Sequence, residues 1–109
     1  MQYCTYILFS RAINRYYIGQ TGNFVSRMQH HIEGKTQSTK QTSDWDLVFL
    51  EPAATLKEAM ALERRIKRSK SRKSIQRYIK NSLNLIPEPI KLSDIISGNR
   101  LIEYTFCEL

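Results

Sequence analysis

Two short runs of aromatic and β-branched residues near the start of the sequence constrain the fold most. Residues 3–9 (YCTYILF) and residues 15–20 (RYYIGQ) are separated by a short, mainly polar segment. Such runs at this spacing favour two antiparallel strands joined by a tight connection. The sequence therefore predicts a β-hairpin that opens the domain.

A helical pattern follows the hairpin. Apolar residues recur at every fourth position, at Phe24, Met28 and Ile32, as on one face of an α-helix. Asn23 can cap the start of such a helix and Gly34 can end it. The spacing thus predicts a first helix between Asn23 and Gly34.

The next segment is polar and is followed by a short apolar run. Residues 35–44 are rich in Thr, Gln and Ser and predict a loop of the kind that carries function when both ends are anchored. Residues 46–51 (DLVFLE) predict a short buried strand, which we expect to end at Pro52.

Two further helices are predicted after this strand. Thr55 and Glu58 form a capping box, and the helix that they begin is expected to end near Ser69. Ser71 can cap another helix, and Pro87 stops any continuation. The predicted apolar face of the first of these helices comprises Leu56, Ala59, Met60, Leu62 and Ile66, and that of the second comprises Ile75, Tyr78 and Ile79.

The order of these elements predicts an α+β fold. The order β-β-α-β-α-α with short connections favours a small three-stranded, mainly antiparallel sheet flanked by helices. The chain has 109 residues, which suits one domain. We expect this domain to cover residues 1–81, and residues 82–109 to form an extension packed on it, with residues 90–109 as two short strands or a packed tail.

Positive charge is concentrated in one segment. The whole chain has a net charge of +7, whereas residues 57–80 contain ten basic and two acidic side chains, a net charge of +8. A concentrated block of this kind favours a polyanionic partner over the alternative, a solvated face that only maintains solubility.

Composition excludes several other classes of protein. Cys4 and Cys107 lie near opposite ends, without zinc-site spacing or the density of a disulfide scaffold, so we expect reduced thiols in a cytoplasmic protein. No apolar run approaches the roughly 18 residues of a spanning helix, and the first residues lack a basic start with a cleavage site. We expect neither secretion nor a membrane partner.

Three groups of residues are candidates for chemistry. Glu63 lies on or beside an apolar stripe, where a carboxylate is costly unless it is paired or binds a metal; a salt bridge to a nearby base is an equal alternative. Arg27 and His31 are four residues apart on one helix face and could bind a phosphate and carry a proton, although a merely exposed basic face is the commoner case. His30 is expected to be exposed.

Tyrosines on the predicted hairpin form the third group. Tyr16 and Tyr17 are adjacent and point to opposite faces of a strand, so one ring can pack while the other lines a site. Gly19 leaves the strand open to close backbone approach. Tyr6 lies on the partner strand.

Together these segments resemble the GIY-YIG nuclease domain, in particular small stand-alone proteins related to the N-terminal nuclease domain of the excision-repair subunit UvrC. The resemblance covers roughly residues 2–80. The first motif departs from the family pattern, because Cys4-Thr5-Tyr6 keeps only its tyrosine. The matching stretches are CTYIL at residues 4–8, YYIGQT at residues 16–21, Asn23, Arg27, His31, Gly34, Thr39-Lys40, Trp45, Leu47-Val48, Glu58-Ala59 and Glu63.

The resemblance implies a metal-dependent endonuclease that hydrolyses DNA phosphodiester bonds, in repair or recombination. It implies that Glu63 binds one Mg²⁺ or Mn²⁺ ion and that Arg27 neutralises phosphate charge. One of two tyrosines would orient or deprotonate the attacking water, with a pKa lowered or a proton shared through Arg27, the metal or His31. The implied catalytic set is Tyr6, Tyr17, Arg27, His31 and Glu63, and the implied DNA-binding set is Gly19, Lys40, Arg64, Lys67, Lys70, Arg72 and Lys73.

Two alternatives remain open. The protein could be a nucleic-acid-binding module that keeps the fold without turnover, or a basic RNA-binding or assembly protein. A homodimer or a protein partner could also supply the specificity that a single small domain lacks.

Overall fold

The computed structural model describes residues 3–37 and 39–96, which form an α+β fold with one antiparallel sheet flanked by helices. The sheet has four strands in the order β2-β1-β3-β4, not the three predicted. The elements are β1 (Tyr3–Ser10), β2 (Arg15–Thr21), α1 (Phe24–Ile32), β3 (Asp46–Ala53), α2 (Leu56–Ser69), α3 (Arg72–Lys80), β4 (Ile90–Lys91) and α4 (Leu92–Ile96).

The predicted hairpin is formed by β1 and β2. Tyr6 lies opposite Gly19, and Leu8 lies opposite Tyr17, so these side-chain positions share one face of the sheet. Asn14 turns the chain between the strands with a φ of 53°, which asparagine tolerates better than most residues.

The third strand is longer than predicted, and the fourth was not predicted as such. Pro52 does not end β3: it lies within the strand opposite Cys4. Only β1 pairs with this end of β3, so the missing N–H of a proline leaves no ladder partner on the other side. β4 consists of two residues that pair with Asp46 and Leu47, too short for a sequence pattern to reveal.

Helices cover both faces of the sheet. Tyr6 packs with Phe24 and Met28 of α1 on one face, whereas Ile7 packs with Leu62 and Ile66 of α2 on the other. The alternation of side chains along β1 thus divides the core into two layers. Residues of α3 join the layer formed by α2, and residues of α4 join the layer formed by α1.

Capping side chains begin the helices where the sequence predicts. The side chain of Asn23 accepts a hydrogen bond from the backbone of Ser26, and Thr55 accepts one from the backbone of Glu58. The predicted apolar face of α2 is wrong at two positions, because Leu56 and Met60 are exposed. The buried residues of α2 are Ala59, Leu62 and Ile66, and on a helical projection Leu56 and Met60 lie to one side of that stripe.

Asn84 completes the outer edge of β3 beyond β4. The two protons of its amide nitrogen are shared among the backbone oxygens of Val48, Ile79 and Ile86, which lie at 2.9, 2.8 and 3.0 Å. Its amide oxygen accepts from the backbone nitrogens of Leu50 and Ile86, both at 3.0 Å. One side chain therefore satisfies backbone groups of a strand, a helix and a loop that would otherwise lack partners.

The segment after α3 contributes to the core. Ile86, Leu92 and Ile95 are buried in the same cluster as Tyr6. The backbone nitrogen of Leu92 donates to the oxygen of Trp45 at 3.3 Å. The predicted tail over residues 90–109 begins as a strand and a short helix, and its part beyond residue 96, including Cys107, lies outside the described residues.

Candidate active site

Residues from β1, α1 and the following loop form a chain of hydrogen bonds under the sheet. Nε of Arg27 donates to the hydroxyl of Tyr6 at 3.4 Å. The Tyr6 hydroxyl lies 2.8 Å from Nε2 of His31, and Nδ1 of His31 lies 2.8 Å from the hydroxyl of Thr39. Trp45 donates its indole N–H to the backbone oxygen of Thr39 at 2.9 Å. We call Arg27, Tyr6, His31 and Thr39 the buried relay.

The partners of Tyr6 determine the direction of these bonds. Arg27 can only donate, so the phenol oxygen accepts from it, and the phenol proton must go to the other partner, Nε2 of His31. A neutral histidine that accepts at Nε2 carries its proton on Nδ1. Nδ1 of His31 therefore donates to the hydroxyl of Thr39.

Burial keeps the two central groups of the relay neutral. Tyr6 and His31 are both 0% exposed. Burial raises the pKa of Tyr6 well above its usual range, and the bond from Arg27 offsets only part of this. Burial, together with the charge of Arg27, lowers the pKa of His31 to about 4. In the protein alone the pKa of Tyr6 is thus raised, and its proton is shared with Nε2 of His31, which is the other arrangement that we expected.

Tyr17 and Arg27 are the more accessible members of the site. Both are half-buried, and the Tyr17 ring packs on the His31 ring with centroids 5.0 Å apart. Hydrogen bonds to Tyr6 and, to a smaller extent, to Tyr17 raise the pKa of Arg27. The guanidinium is therefore held against two phenols as a cation at the margin of the relay.

Gly19 allows Tyr6 to lie against the neighbouring strand. A Cβ at residue 19 would be 2.7 Å from the Tyr6 hydroxyl oxygen and 3.0 Å from a carbon of the Tyr17 ring. The glycine is needed here for close approach, as the sequence indicated. Gly19 is buried, and its predicted contact with DNA stays a prediction.

Glu63 lies on α2, on the other face of the sheet from the relay. Its side chain is 20% exposed, and Oε2 lies 3.4 Å from Nζ of Lys67 one turn later, so the predicted salt-bridge alternative is present. Within residues 3–37 and 39–96, no hydrogen bond or ion pair joins Glu63 to Tyr6, Tyr17, Arg27 or His31. Hydrogen bonds and ring contacts thus join four of the five predicted catalytic residues to one another, and Glu63 makes no such contact with them.

The carboxylate of Glu63 suits one divalent cation that keeps most of its water ligands. Among the described residues, no group of three His, Cys, Asp or Glu side chains could hold a metal ion. Mg²⁺ commonly keeps several waters and binds through one or two carboxylates plus substrate phosphates. A single partly exposed carboxylate suits that pattern and does not suit a site built wholly from protein ligands.

A basic surface extends over α2 and α3. All ten basic residues between positions 57 and 80 are exposed. Lys67 is paired with Glu63, and Arg72 is bonded to Asn14 and stacked over the ring of Tyr16 at 5.4 Å. The other eight have no carboxylate within ion-pair distance among the described residues, and we call them the basic surface: Lys57, Arg64, Arg65, Arg68, Lys70, Lys73, Arg77 and Lys80.

The predicted DNA-binding residues differ in whether their side chains already have partners within the protein. Lys40 is exposed on the loop that follows α1. Arg64, Lys70 and Lys73 belong to the basic surface, whereas Lys67 and Arg72 already have partners within the protein. The role of Arg72 in attaching α3 to the hairpin could not be foreseen from its sequence neighbours.

Two residues of the site were missed as site residues by sequence reasoning. Thr39 is buried and bonds His31, and Trp45 is buried and holds the backbone of Thr39. Both lay in stretches that carried the family resemblance, and that was the available signal. A threonine in a polar loop otherwise gives no hint that it will be buried.

Comparison with protein-family models identifies the family of the chain. The model of the GIY-YIG catalytic domain matches residues 2–78, and the chain therefore belongs to the GIY-YIG family. Domains of this family are typically endonucleases, so this is a nuclease-type domain, which suggests a DNA substrate. The comparisons with curated proteins and with solved structures gave no match. No helix in the described part of the chain is long and apolar enough to cross a membrane.

Proposed function

We propose that the protein is a metal-dependent endonuclease that hydrolyses phosphodiester bonds of DNA. The observation that carries this proposal is the convergence of Arg27, Tyr17, Tyr6 and His31 at one site of a GIY-YIG domain. An arginine cation beside two phenols is an arrangement that can bind a phosphate and position a water.

We assign different roles to the two tyrosines by their accessibility. Tyr17 is half-buried and can reach a water in front of the site, so it orients the attacking water. Tyr6 is fully buried, and its hydroxyl accepts a hydrogen bond from Nε of Arg27 and so positions the guanidinium. The terminal guanidinium nitrogens of Arg27 then neutralise charge on the non-bridging phosphate oxygens.

Glu63 would hold one Mg²⁺ or Mn²⁺ ion. When bound, the ion supplies electrostatic stabilisation of the phosphate and of the leaving oxygen. β2, which carries Tyr17, is an edge strand of the sheet, and we propose that groups from α1 and α2 approach the same phosphate there. Release of Glu63 from Lys67 would accompany metal binding, because the ammonium and the metal compete for the same carboxylate.

The basic surface would bind the DNA backbone, together with Lys40, Lys67 and Arg72. Contacts of this kind provide affinity with little sequence preference. We further propose that the protein is of the UvrC-like stand-alone type, acts in DNA repair or recombination in the cytoplasm, and obtains specificity from a second copy or a protein partner.

The second candidate is a nucleic-acid-binding module without turnover. The observation that favours it is the position of Glu63, paired with Lys67 and not bonded to the relay. In this case the basic surface would bind DNA while the carboxylate serves only to stabilise α2.

Cleavage of a panel of labelled duplex, nicked, branched and single-stranded DNAs separates the two candidates. We expect the wild-type protein to cleave with Mg²⁺ or Mn²⁺ and not with chelator. Glu63→Gln should lose cleavage and keep DNA binding, whereas Glu58→Gln, an exposed acid on the same helix, should retain both. Tyr17→Phe and Arg27→Ala should each reduce cleavage by about 100-fold.

Absence of wild-type cleavage on every substrate, with salt-sensitive binding that Glu63→Gln leaves unchanged, would establish the non-catalytic module. Preferential binding of structured RNA over DNA would favour a third function, RNA binding.

A further inference from the structure

Thr39 is the one member of the buried relay to which neither the sequence nor the family match assigns a role. Its side chain is 0% exposed, although it belongs to a polar loop. The indole of Trp45 holds its backbone oxygen, and its backbone nitrogen donates to the oxygen of Thr36 at 3.1 Å. These two backbone contacts position the Thr39 hydroxyl independently of its contact with His31.

We propose that Thr39 is a positioning residue that selects the tautomer of His31 and, through it, the orientation of the Tyr6 hydroxyl. The proposal rests on the proposed nuclease function, in which Tyr6 holds Arg27. The Thr39 hydroxyl accepts the Nδ1 proton of His31, which leaves Nε2 free to accept the proton of Tyr6.

The contact between Thr39 and His31 matters because it determines which buried protons have hydrogen-bond acceptors. With the hydroxyl of Thr39 present, the phenol proton of Tyr6 and the Nδ1 proton of His31 both have acceptors. Without it, the Nδ1 proton of His31 is buried without a partner in the native tautomer. In the other tautomer, Nε2 donates to Tyr6, whose own proton then has no acceptor among the described residues. Either outcome weakens the hold of Tyr6 on Arg27.

The test compares Thr39→Val, which removes the hydroxyl but keeps the branched shape and the backbone contact with Trp45, with Thr39→Ser, which keeps the hydroxyl. The matched control is Thr5→Val. The hydroxyl of Thr5 is also fully buried and donates to the backbone oxygen of Ala59 at 2.8 Å, but on the α2 face of the sheet.

Two readouts are needed. The first is the ¹⁵N NMR spectrum of the His31 imidazole in the free protein, which reports the tautomer without any need for activity. We expect the Nδ1–H form in the wild type, Thr39→Ser and Thr5→Val, and a loss of its dominance in Thr39→Val. The second is the DNA cleavage rate, which should fall about tenfold in Thr39→Val and stay within about twofold of the wild type in Thr39→Ser.

Failure of the two proposals is distinguishable. If the wild type does not cleave DNA, the nuclease proposal fails, and the NMR comparison still tests the role of Thr39. A wild-type tautomer in Thr39→Val would overturn the positioning role. An equal loss of cleavage in Thr5→Val would also overturn it, because the effect would then follow from the loss of any buried hydroxyl.

Discussion

Gly19 lies directly opposite Tyr6 in the pairing of β1 with β2, and its missing side chain is the space that the Tyr6 hydroxyl uses. The relay thus depends on a residue that supplies no functional group. The glycine and the tyrosine are separated by most of the hairpin in sequence but form one structural unit.

Gly19→Ala should destabilise the protein and disturb the relay. The new Cβ would meet the Tyr6 hydroxyl at 2.7 Å, and the buried ring cannot move without displacing His31. We expect the free energy of unfolding in urea to fall by about 1–3 kcal/mol. The control is Gly22→Ala, whose Cβ would come as close as 2.8 Å to the ring of Tyr3, but Tyr3 is half-buried and Gly22 is exposed, so this ring can shift at lower cost. Equal effects at both glycines would contradict this prediction.

Stability should depend on pH through His31. Its pKa is about 4 in the folded protein and 6.5 ordinarily, so the unfolded chain binds a proton first as the pH falls. The free energy of unfolding should therefore decrease as the pH falls from about 6.5 to about 4, by about 3 kcal/mol in all. Urea titrations at several pH values measure this decrease.

Two variants isolate the contribution of this histidine. His31→Gln should flatten the dependence of stability on pH between 6.5 and 4, whereas His30→Gln, at an exposed neighbour, should leave it unchanged. A steep dependence that survives His31→Gln would mean that other groups cause it.

Asn84→Ala should be among the more destabilising single substitutions outside the apolar core. Its side chain makes bonds to five backbone atoms of the outer edge of β3 and its surroundings. Their loss leaves several backbone groups without partners, and we expect a decrease of about 2–4 kcal/mol in the free energy of unfolding. Asn81→Ala, at an exposed residue whose side chain bonds only Leu83, should cost less than about 1 kcal/mol.

The basic surface should determine the dependence of DNA affinity on salt. Lys73→Ala and Arg77→Ala should each reduce the slope of log affinity against log salt by about 1, because each removes one phosphate contact. Lys35→Ala removes a cation that is already paired with Glu33 and should change the slope less. Binding titrations at several salt concentrations test this, and equal slopes for all three variants would refute it.

Sequence patterns predicted much of the secondary structure, because helix starts depend on hydrogen bonds between residues that are close in sequence. The caps at Asn23, Thr55 and Ser71 each accept the backbone hydrogen bond expected of them. Sequence patterns failed where burial depends on packing against residues that are distant in sequence. Met60 follows the helical period of its apolar neighbours yet is exposed, because the period identifies a face but not how far the core extends.

The sequence allowed the residues of the site to be predicted, but not their burial or their hydrogen-bond partners. An exposed basic face was the commoner interpretation of the spacing of Arg27 and His31, yet His31 is fully buried. A histidine can be buried when both ring nitrogens find partners, and here these are Tyr6 and Thr39, which come from other parts of the chain. Glu63 belongs to the helix that packs on the opposite face of the sheet from α1, and spacing along the sequence does not reveal which face a helix covers.

Trp45 gives the protein a built-in optical probe. It is the only tryptophan in the chain, and its indole N–H is bonded to the backbone of the residue that contacts His31. The emission of a buried indole depends on its immediate polar contacts. Intrinsic fluorescence can therefore follow protonation of the histidine, or docking of a substrate at the arginine, in the unlabelled protein and in real time.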